Sequence, residues 1–365
     1  MTTSPVPPPR LPYGQPELYA GVVDPGFEQR LIEGIRPMAE HFLASALHHL
    51  FDSGIFDTLQ AEQGYRSIAG LADQLVFEEY RLLGFLQFLA NEGVVEIESD
   101  AVRLTAKGLG YGEFRAWYTM MVGGYSTTLG QLGDALHKGS PACTRNGRHV
   151  SRGSCEMSRY DGIPITRELM ARGAVEYHQV LDLGCGSALY LTDFCKEVPG
   201  ITAWGVEPDP GGYAEAVSHV AGEGMSERIT LANRSATAFL DDPPSECRPD
   251  LLVLGYVLQE VLQQEGEEAV ERLLRNVARA FPDISIAVIE VANEIANPTI
   301  MRHGLATNFW NPYFLMHVFT AQRLESPEYW ERLFARTGWR VDAFVSTDRH
   351  IDSTGLELGY LLRVA

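Results

Sequence analysis

Val180-Leu181-Asp182-Leu183-Gly184-Cys185-Gly186 reads as a buried strand that breaks into a glycine turn and opens a helix. Glycines let a ligand approach the backbone closely, and a helix N-terminus offers N–H groups that no intrahelical carbonyl takes. Twenty-one residues past Gly186, the run Ala203 to Val206 ends in Glu207, a carboxylate placed to accept two ribose hydroxyls. Together these residues predict a site for a nucleoside-bearing cofactor. A dinucleotide fingerprint puts Gly or Ala three residues after the second glycine, but that position is Leu189, so a pyrophosphate fits poorly. Without Asp182 and Glu207, the two glycines alone are an ordinary tight β-to-α turn.

These residues need a sheet to carry them. From 173 onward, short apolar runs at Val180 to Leu183, Thr202 to Val206, Ile229 to Ala232, Leu251 to Leu254, Ile284 to Val291, Trp339 to Val345 and Leu356 to Leu362 alternate with amphipathic stretches, the clearest from Glu267 to Phe281. The alternation predicts an α/β fold, a doubly wound and mostly parallel sheet covered by helices. Residues 27–112 differ. Phe42, Ala46, Leu47, Leu50 and Phe51 recur at helical spacing, a second apolar helix covers Tyr80 to Leu89, and Val94 to Leu104 reads as a hairpin turning at Ser99 and Asp100. That outline is a winged helix. It holds six Lys/Arg against thirteen acids, the wrong sign for a DNA reader, so a dimerisation domain and hence a homodimer are expected. Residues 1–26 form a tail with six prolines in its first sixteen positions, and 113–172 a bridge, aromatic at Phe114, Trp117 and Tyr118 and loop-like from Lys138 to Ser158.

The acidic-x-Gly-x-Gly form with Asp182 resembles the first motif of the class I S-adenosylmethionine-dependent methyltransferases, with a Rossmann-like sheet. The resemblance implies that S-adenosylmethionine is the cofactor and that Asp182, Gly184, Gly186, Glu207 and Pro208 hold it. It further puts Ser235 and Ala236 at adenine, Gly255 and Tyr256 where the methyl group faces substrate, and Tyr160 at the methionine moiety, although a tyrosine packing at the domain junction explains Tyr160 as well. A closer likeness runs through Trp117-Tyr118-Thr119-Met120-Met121-Val122-Gly123-Gly124-Tyr125, Gly205 to Tyr213 (GVEPDPGGY), Asn311-Pro312-Tyr313-Phe314 and Asp352 to Tyr360 (DSTGLELGY). These strings look like the bacterial 2-ketoarginine methyltransferases and the arginine guanidino N-methyltransferase of streptozotocin biosynthesis. The implied substrate is arginine or its 2-oxo acid, in antibiotic biosynthesis.

A guanidinium is a poor nucleophile, with a pKa above about 12 and delocalised lone pairs, so methylating it needs carboxylates that localise its charge and accept a proton. Glu260 follows the fourth strand, and Glu290 and Glu294 lie in or just after the fifth, at the edge where open α/β sheets bind ligands. Glu290 stands out because an acid in so apolar a strand needs a partner; an ion pair with Arg302 is its plain alternative, and a capping role that of Glu260. Glu260 and Glu290 are thus the candidate catalytic acids of an arginine Nω-methyltransferase, with turnover expected to vanish in Glu290→Gln. Tyr125, Gln259, Asn293, Glu294, Asn311, Tyr313 and His317 are candidate substrate contacts, the last three in a polar-aromatic segment with Asn308, Trp310 and Phe314 whose rings could hold a guanidinium or simply pack a core helix.

Carbon methylation of 2-ketoarginine is the rival chemistry, which needs a base or a Lewis acid to form an enolate. Related keto-acid C-methyltransferases place His where this chain has Gln259, which weakens that reading and leaves no metal expected, though His303 and His317 could join Glu260 in a two-His-one-carboxylate site.

The chain has 365 residues, 45% of them hydrophobic, with 29 Lys+Arg and 48 Asp+Glu. The net charge of −19 speaks against nucleic acid and against anionic lipid, and so against a non-catalytic DNA-binding reading. No apolar run spans a bilayer and no signal peptide is visible, so a cytoplasmic enzyme with a small-molecule substrate and no membrane partner is expected. Five scattered cysteines without a CxxC pair are expected to be reduced thiols.

Overall fold

The computed structural model describes residues 25–62, 64–173 and 175–365, so the proline-rich segment before Pro25 lies outside the described residues. The first helix, Pro25–Asp52, leads into a small unit in which strands β1 (Arg66–Ser67), β2 (Val95–Glu98) and β3 (Ala101–Leu104) form an antiparallel sheet in the order β1-β3-β2. The expected hairpin is present, with Ser99 at φ 55 in its turn. Leu47, Leu50, Leu71, Leu86, Val94 and Val102 pack into one cluster beneath it. The outer half of the first helix is bare. Phe27, Leu31, Ile35, Met38 and Phe42 recur on one helical face and are all exposed.

The main body is a seven-stranded sheet of β4 (Gln179–Leu183), β5 (Thr202–Val206), β6 (Ile229–Ala232), β7 (Leu251–Gly255), β8 (Ser285–Val291), β9 (Trp339–Ser346) and β10 (Glu357–Val364). Its order is β6-β5-β4-β7-β8-β10-β9. All pairings are parallel except those of β10, which runs antiparallel to both β8 and β9. Because successive side chains alternate faces, each strand feeds two cores. Leu181, Leu252, Leu254, Ile286 and Val288 pack on one side with Phe314, Trp330 and Trp339, while Val180, Leu251, Val253 and Ile289 pack on the other with Leu191 and Phe194. Every residue of β8 is buried, which is why that strand, after its opening Ser285, reads as one apolar run interrupted only by Glu290.

The topology reverses between β4 and β7, opening a crevice at the carboxyl edge. Local signals fix the elements that border it. The helix Pro210–Gly222 starts where Asp209 accepts from the Gly212 N–H at 2.7 Å and Pro210 sets the first turn. One element departs from expectation: residues 147–157, within the stretch read as loop, form the helix Gly147–Met157. Its sequence is polar on average and contains two glycines, and its buried face is narrow, only Val150, Gly153 and Met157. Its close packing rests on Gly153, where a Cβ would lie 2.6 Å from the Met120 backbone nitrogen. No helix among the described residues is long and apolar enough to cross a membrane, and the five cysteines are free.

Candidate active site

The glycine loop after β4 adopts the conformation its sequence requires. Gly184 has φ +95 and Gly186 φ +53, and a Cβ on Gly184 would meet nothing within 4 Å, so the backbone there is open to a ligand. Glu207, buried at the end of β5, accepts from the Gly186 N–H at 2.9 Å and from the Asp209 N–H at 2.8 Å, which aims its carboxylate at the loop. Burial, then the charge of Glu207, push Asp182 up to about 7. Two adjacent acids with no cation between them suit a positively charged ligand. Pro208 follows Glu207, and Ser235 lies at the next strand end, where it caps the helix Ala236–Asp241 by accepting from the Ala238 N–H at 3.2 Å. Gly255 ends β7 across the crevice, exposed and without neighbours at its Cβ position. These residues share one edge of the sheet and together fit a cationic, phosphate-free nucleoside cofactor.

Tyr160 does not join them. Its ring centroid lies 5.3 Å from that of Trp117 and its hydroxyl donates to the Glu113 carbonyl at 3.4 Å.

From the glycine loop a cavity of about 430 Å³ runs inward, between the helix Gly147–Met157, the start of the helix Leu258–Glu265 and the helix Trp310–Phe319. Ser151, Ser154, Tyr256, Gln259, Tyr313 and His317 are among its walls. Arg145, which sequence reasoning missed, also lines it and holds Glu260 at 2.6 Å, while the Gln322 side-chain N–H donates to the same Glu260 oxygen at 3.1 Å. Tyr125 stands behind this network, fully buried, donating to Gln322 Oε1 at 3.3 Å. Glu260 is therefore paired with a cation of the chain itself.

Glu290 is buried but does not line the cavity. Its Oε1 accepts from the backbone N–H groups of Leu258 at 2.9 Å and Gln259 at 3.3 Å, so it caps the helix that carries Gln259 and Glu260. Burial pushes its carboxyl up to about 8 against those two hydrogen bonds. Its partner is thus not Arg302: the free amides of a helix start take Oε1, while the buried Oε2 has no hydrogen-bond partner.

Other expected contacts separate in the same way. Asn311 is exposed and donates to the Met301 carbonyl at 2.9 Å, Glu294 accepts from Asn297 at 3.1 Å, and Asn293 donates to the Leu324 carbonyl at 3.1 Å beside a smaller cavity that also touches His317. None of the three lines the main cavity. His303 is exposed and bonds Ser353 at 3.0 Å, away from Glu260. Trp310, Tyr313, Phe314 and His317 instead share the inner face of their helix. The Tyr313 and His317 rings lie with centroids 3.7 Å apart at a tilt of 30°, and the Gln259 side chain donates to the Tyr313 hydroxyl at 3.4 Å. His317 Nδ1 lies 2.8 Å from the Tyr313 carbonyl, which can only accept, so Nδ1 carries the proton and Nε2 the lone pair. Burial, aided by the charge of Arg145 and opposed by that hydrogen bond, drives the imidazole down to about 3 and keeps it neutral.

On the β10 side, Tyr256 takes a left-handed conformation, φ +59, and its hydroxyl donates to Glu357. A non-glycine residue held there is strained, a feature that concentrates at functional sites. Burial beside Asp161 keeps Glu357 protonated well above the carboxylate range.

No family model matches the chain. The chain is 40% identical over 344 residues to a 2-ketoarginine methyltransferase of Streptomyces arginensis, covering 93% of this chain and 98% of that protein. Among solved structures it is similar to a riboflavin-derivative dimethyltransferase of Streptomyces davawensis, at 17% identity and TM-score 0.62 over 93% of this chain and 99% of that one. It also resembles human N-acetylserotonin methyltransferase in complex with S-adenosylmethionine, at 18% identity and TM-score 0.59 over 94% and 99%. At such identities the solved structures speak for the fold alone.

Proposed function

Since the chain belongs to the 2-ketoarginine methyltransferase family and is an S-adenosylmethionine-dependent methyltransferase of the class I fold, we propose that it methylates the carbon beside the keto group of 2-ketoarginine or a close 2-oxo acid. The observation that carries this reading is a set of unpartnered buried polar atoms at one end of the cavity: Arg145 Nη1, Gln259 Oε1 and His317 Nε2. In a chain with 48 acids, a guanidinium arm that no carboxylate has taken is kept for a ligand anion, and the carboxylate of a 2-oxo acid is one.

The residues divide the work accordingly. Arg145 holds the carboxylate with Nη1 while Glu260 fixes Nη2. A substrate carboxylate on Arg145 offsets the charge that helps depress the imidazole, and His317 Nε2 then accepts the proton from C3, the carbon next to the carbonyl, while the electron pair released there delocalises onto the keto oxygen. Tyr313, whose hydroxyl burial keeps protonated, donates to that oxygen. Asp161 and Glu265, elsewhere on the same walls, are the acids left to meet the guanidino end. Asp182, Gly184, Gly186 and Glu207 hold S-adenosylmethionine, which supplies a methyl group on a positively charged sulfur to the carbon so activated.

Arginine Nω-methylation, expected from sequence, is not supported. The curated relative takes its name from the oxo acid, and the carboxylate pair that a guanidino acceptor needs is otherwise engaged, Glu260 with Arg145 and Glu290 with backbone amides. Purified protein incubated with S-adenosylmethionine and either 2-ketoarginine or L-arginine distinguishes the two by mass fragmentation. A methyl on C3 of the oxo acid is expected; a methyl on the guanidino group of arginine would overturn the proposal.

The homodimer belongs to the same reading, supported by the bare apolar face of the first helix. Light scattering is expected to give twice the chain mass, and Leu31→Glu with Ile35→Glu to halve it; a monomeric wild type refutes the assembly.

A further inference from the structure

The joint between the first helix and the helix Gly147–Met157 carries a second constellation, outside the cavity. His48 and Asp52 lie one turn apart on the first helix, and His149 reaches them from the other, its Nε2 3.2 Å from Asp52 Oδ1 and its ring centroid 5.1 Å from that of His48. One ligand atom from each of the three falls within 4.8 Å of the other two. His48 is 4% exposed and its Nδ1 has no hydrogen-bond partner. A buried imidazole nitrogen left without a partner is costly unless a ligand uses it.

The backbone makes room for the two rings. Gly123 closes a π-helical turn, Tyr118–Gly123, a geometry that recurs at functional sites. A Cβ at Gly123 would lie 2.3 Å from His48 Cε1, 2.7 Å from His48 Nε2 and 2.8 Å from His149 Nδ1, so any side chain there would displace both rings. Gly123 belongs to the string from Trp117 to Tyr125, of which the cavity and its network use Met120 and Tyr125.

We propose that His48, Asp52 and His149 bind one divalent transition-metal ion of the zinc class, with water completing a tetrahedral shell. Two imidazoles and a carboxylate are a donor set such ions accept. The ion ties the N-terminal unit to a wall of the cavity, because Val150, Ser151 and Ser154 of the same helix line it.

Full-length protein stripped with a chelator is titrated with cobalt(II), whose visible bands report tetrahedral coordination, and with zinc by calorimetry. One equivalent is expected to bind, with affinity reduced at least about tenfold in His149→Ala and in Asp52→Asn and unchanged in His317→Ala. Zinc is also expected to raise the unfolding temperature of the wild type but not of the first two variants, whose side chains are 19% and 39% exposed and leave the core intact when replaced. Absence of saturable binding to the wild type overturns the assignment, as does binding that survives His149→Ala and disappears in His317→Ala.

Discussion

Arg145→Gln raises KM for 2-ketoarginine by about 10²-fold or more and leaves cofactor affinity within a few-fold, whereas His317→Ala lowers kcat by about 10²- to 10⁴-fold with little change in KM. The split follows from what each side chain does. Arg145 presents one guanidinium arm to Glu260 and a second, buried and unpaired, to the cavity. Its charge meets the substrate carboxylate equally in the ground and transition states, so losing it weakens binding more than chemistry. His317 offers a lone pair, fixed by the Nδ1 hydrogen bond to Tyr313, that matters only when the C3 proton leaves. A control separates lost charge from disturbed packing. The primary amide of 2-ketoarginine should be discriminated against by the wild type by about the factor that Arg145→Gln costs, and Arg145→Gln should treat acid and amide alike. An Arg145 variant that keeps both the wild-type KM and the preference for the acid would place the carboxylate elsewhere.

Much of the cofactor half of the site was readable because its signals are local. Strand, glycine turn and a carboxylate at the end of the next strand are fixed by chain order and by the register that sets Asp182 beside Gly205 and Val253. The substrate half depends on residues brought together by tertiary packing. Arg145 lies in Cys143-Thr144-Arg145-Asn146-Gly147, a stretch with no periodicity, just before a polar helix whose narrow buried face includes a glycine. Tyr313 and His317 were accessible because four residues on a helix return to the same face. Asn311 occupies the same segment but a different face, and composition alone could not tell them apart. Asn293 and Glu294 sit just beyond β8, and which way a chain turns after a strand is set by the loop it enters, here one closed by Asn297.

Glu290 shows most clearly what the sequence could and could not convey, and its substitution should reverse the result expected from sequence. That a lone acid in a fully buried strand has a partner was legible; that the partner is backbone was not, because every residue but proline carries the same N–H group. Glu290→Gln should therefore retain methyl transfer within about threefold, since an amide oxygen still accepts from Leu258 and Gln259 and the amide N–H₂ replaces the carboxyl O–H. Stability should change with pH instead. The folded carboxyl titrates near 8 against an ordinary value of 4.5, so between these values the native state holds a proton that the unfolded state has released. Stability contributed by this group is then full below about 4.5 and lost as pH rises through 8, on the order of 5 kcal/mol in all. Asp161, Asp182 and Glu357 are raised too and weaken the wild type in the same direction, so the informative quantity is the difference between the two proteins. Thermal unfolding should find them nearly equal at pH 5 and the variant distinctly more stable at pH 9. Unfolding curves that stay parallel across that range, with turnover lost in the variant, would return Glu290 to the chemistry.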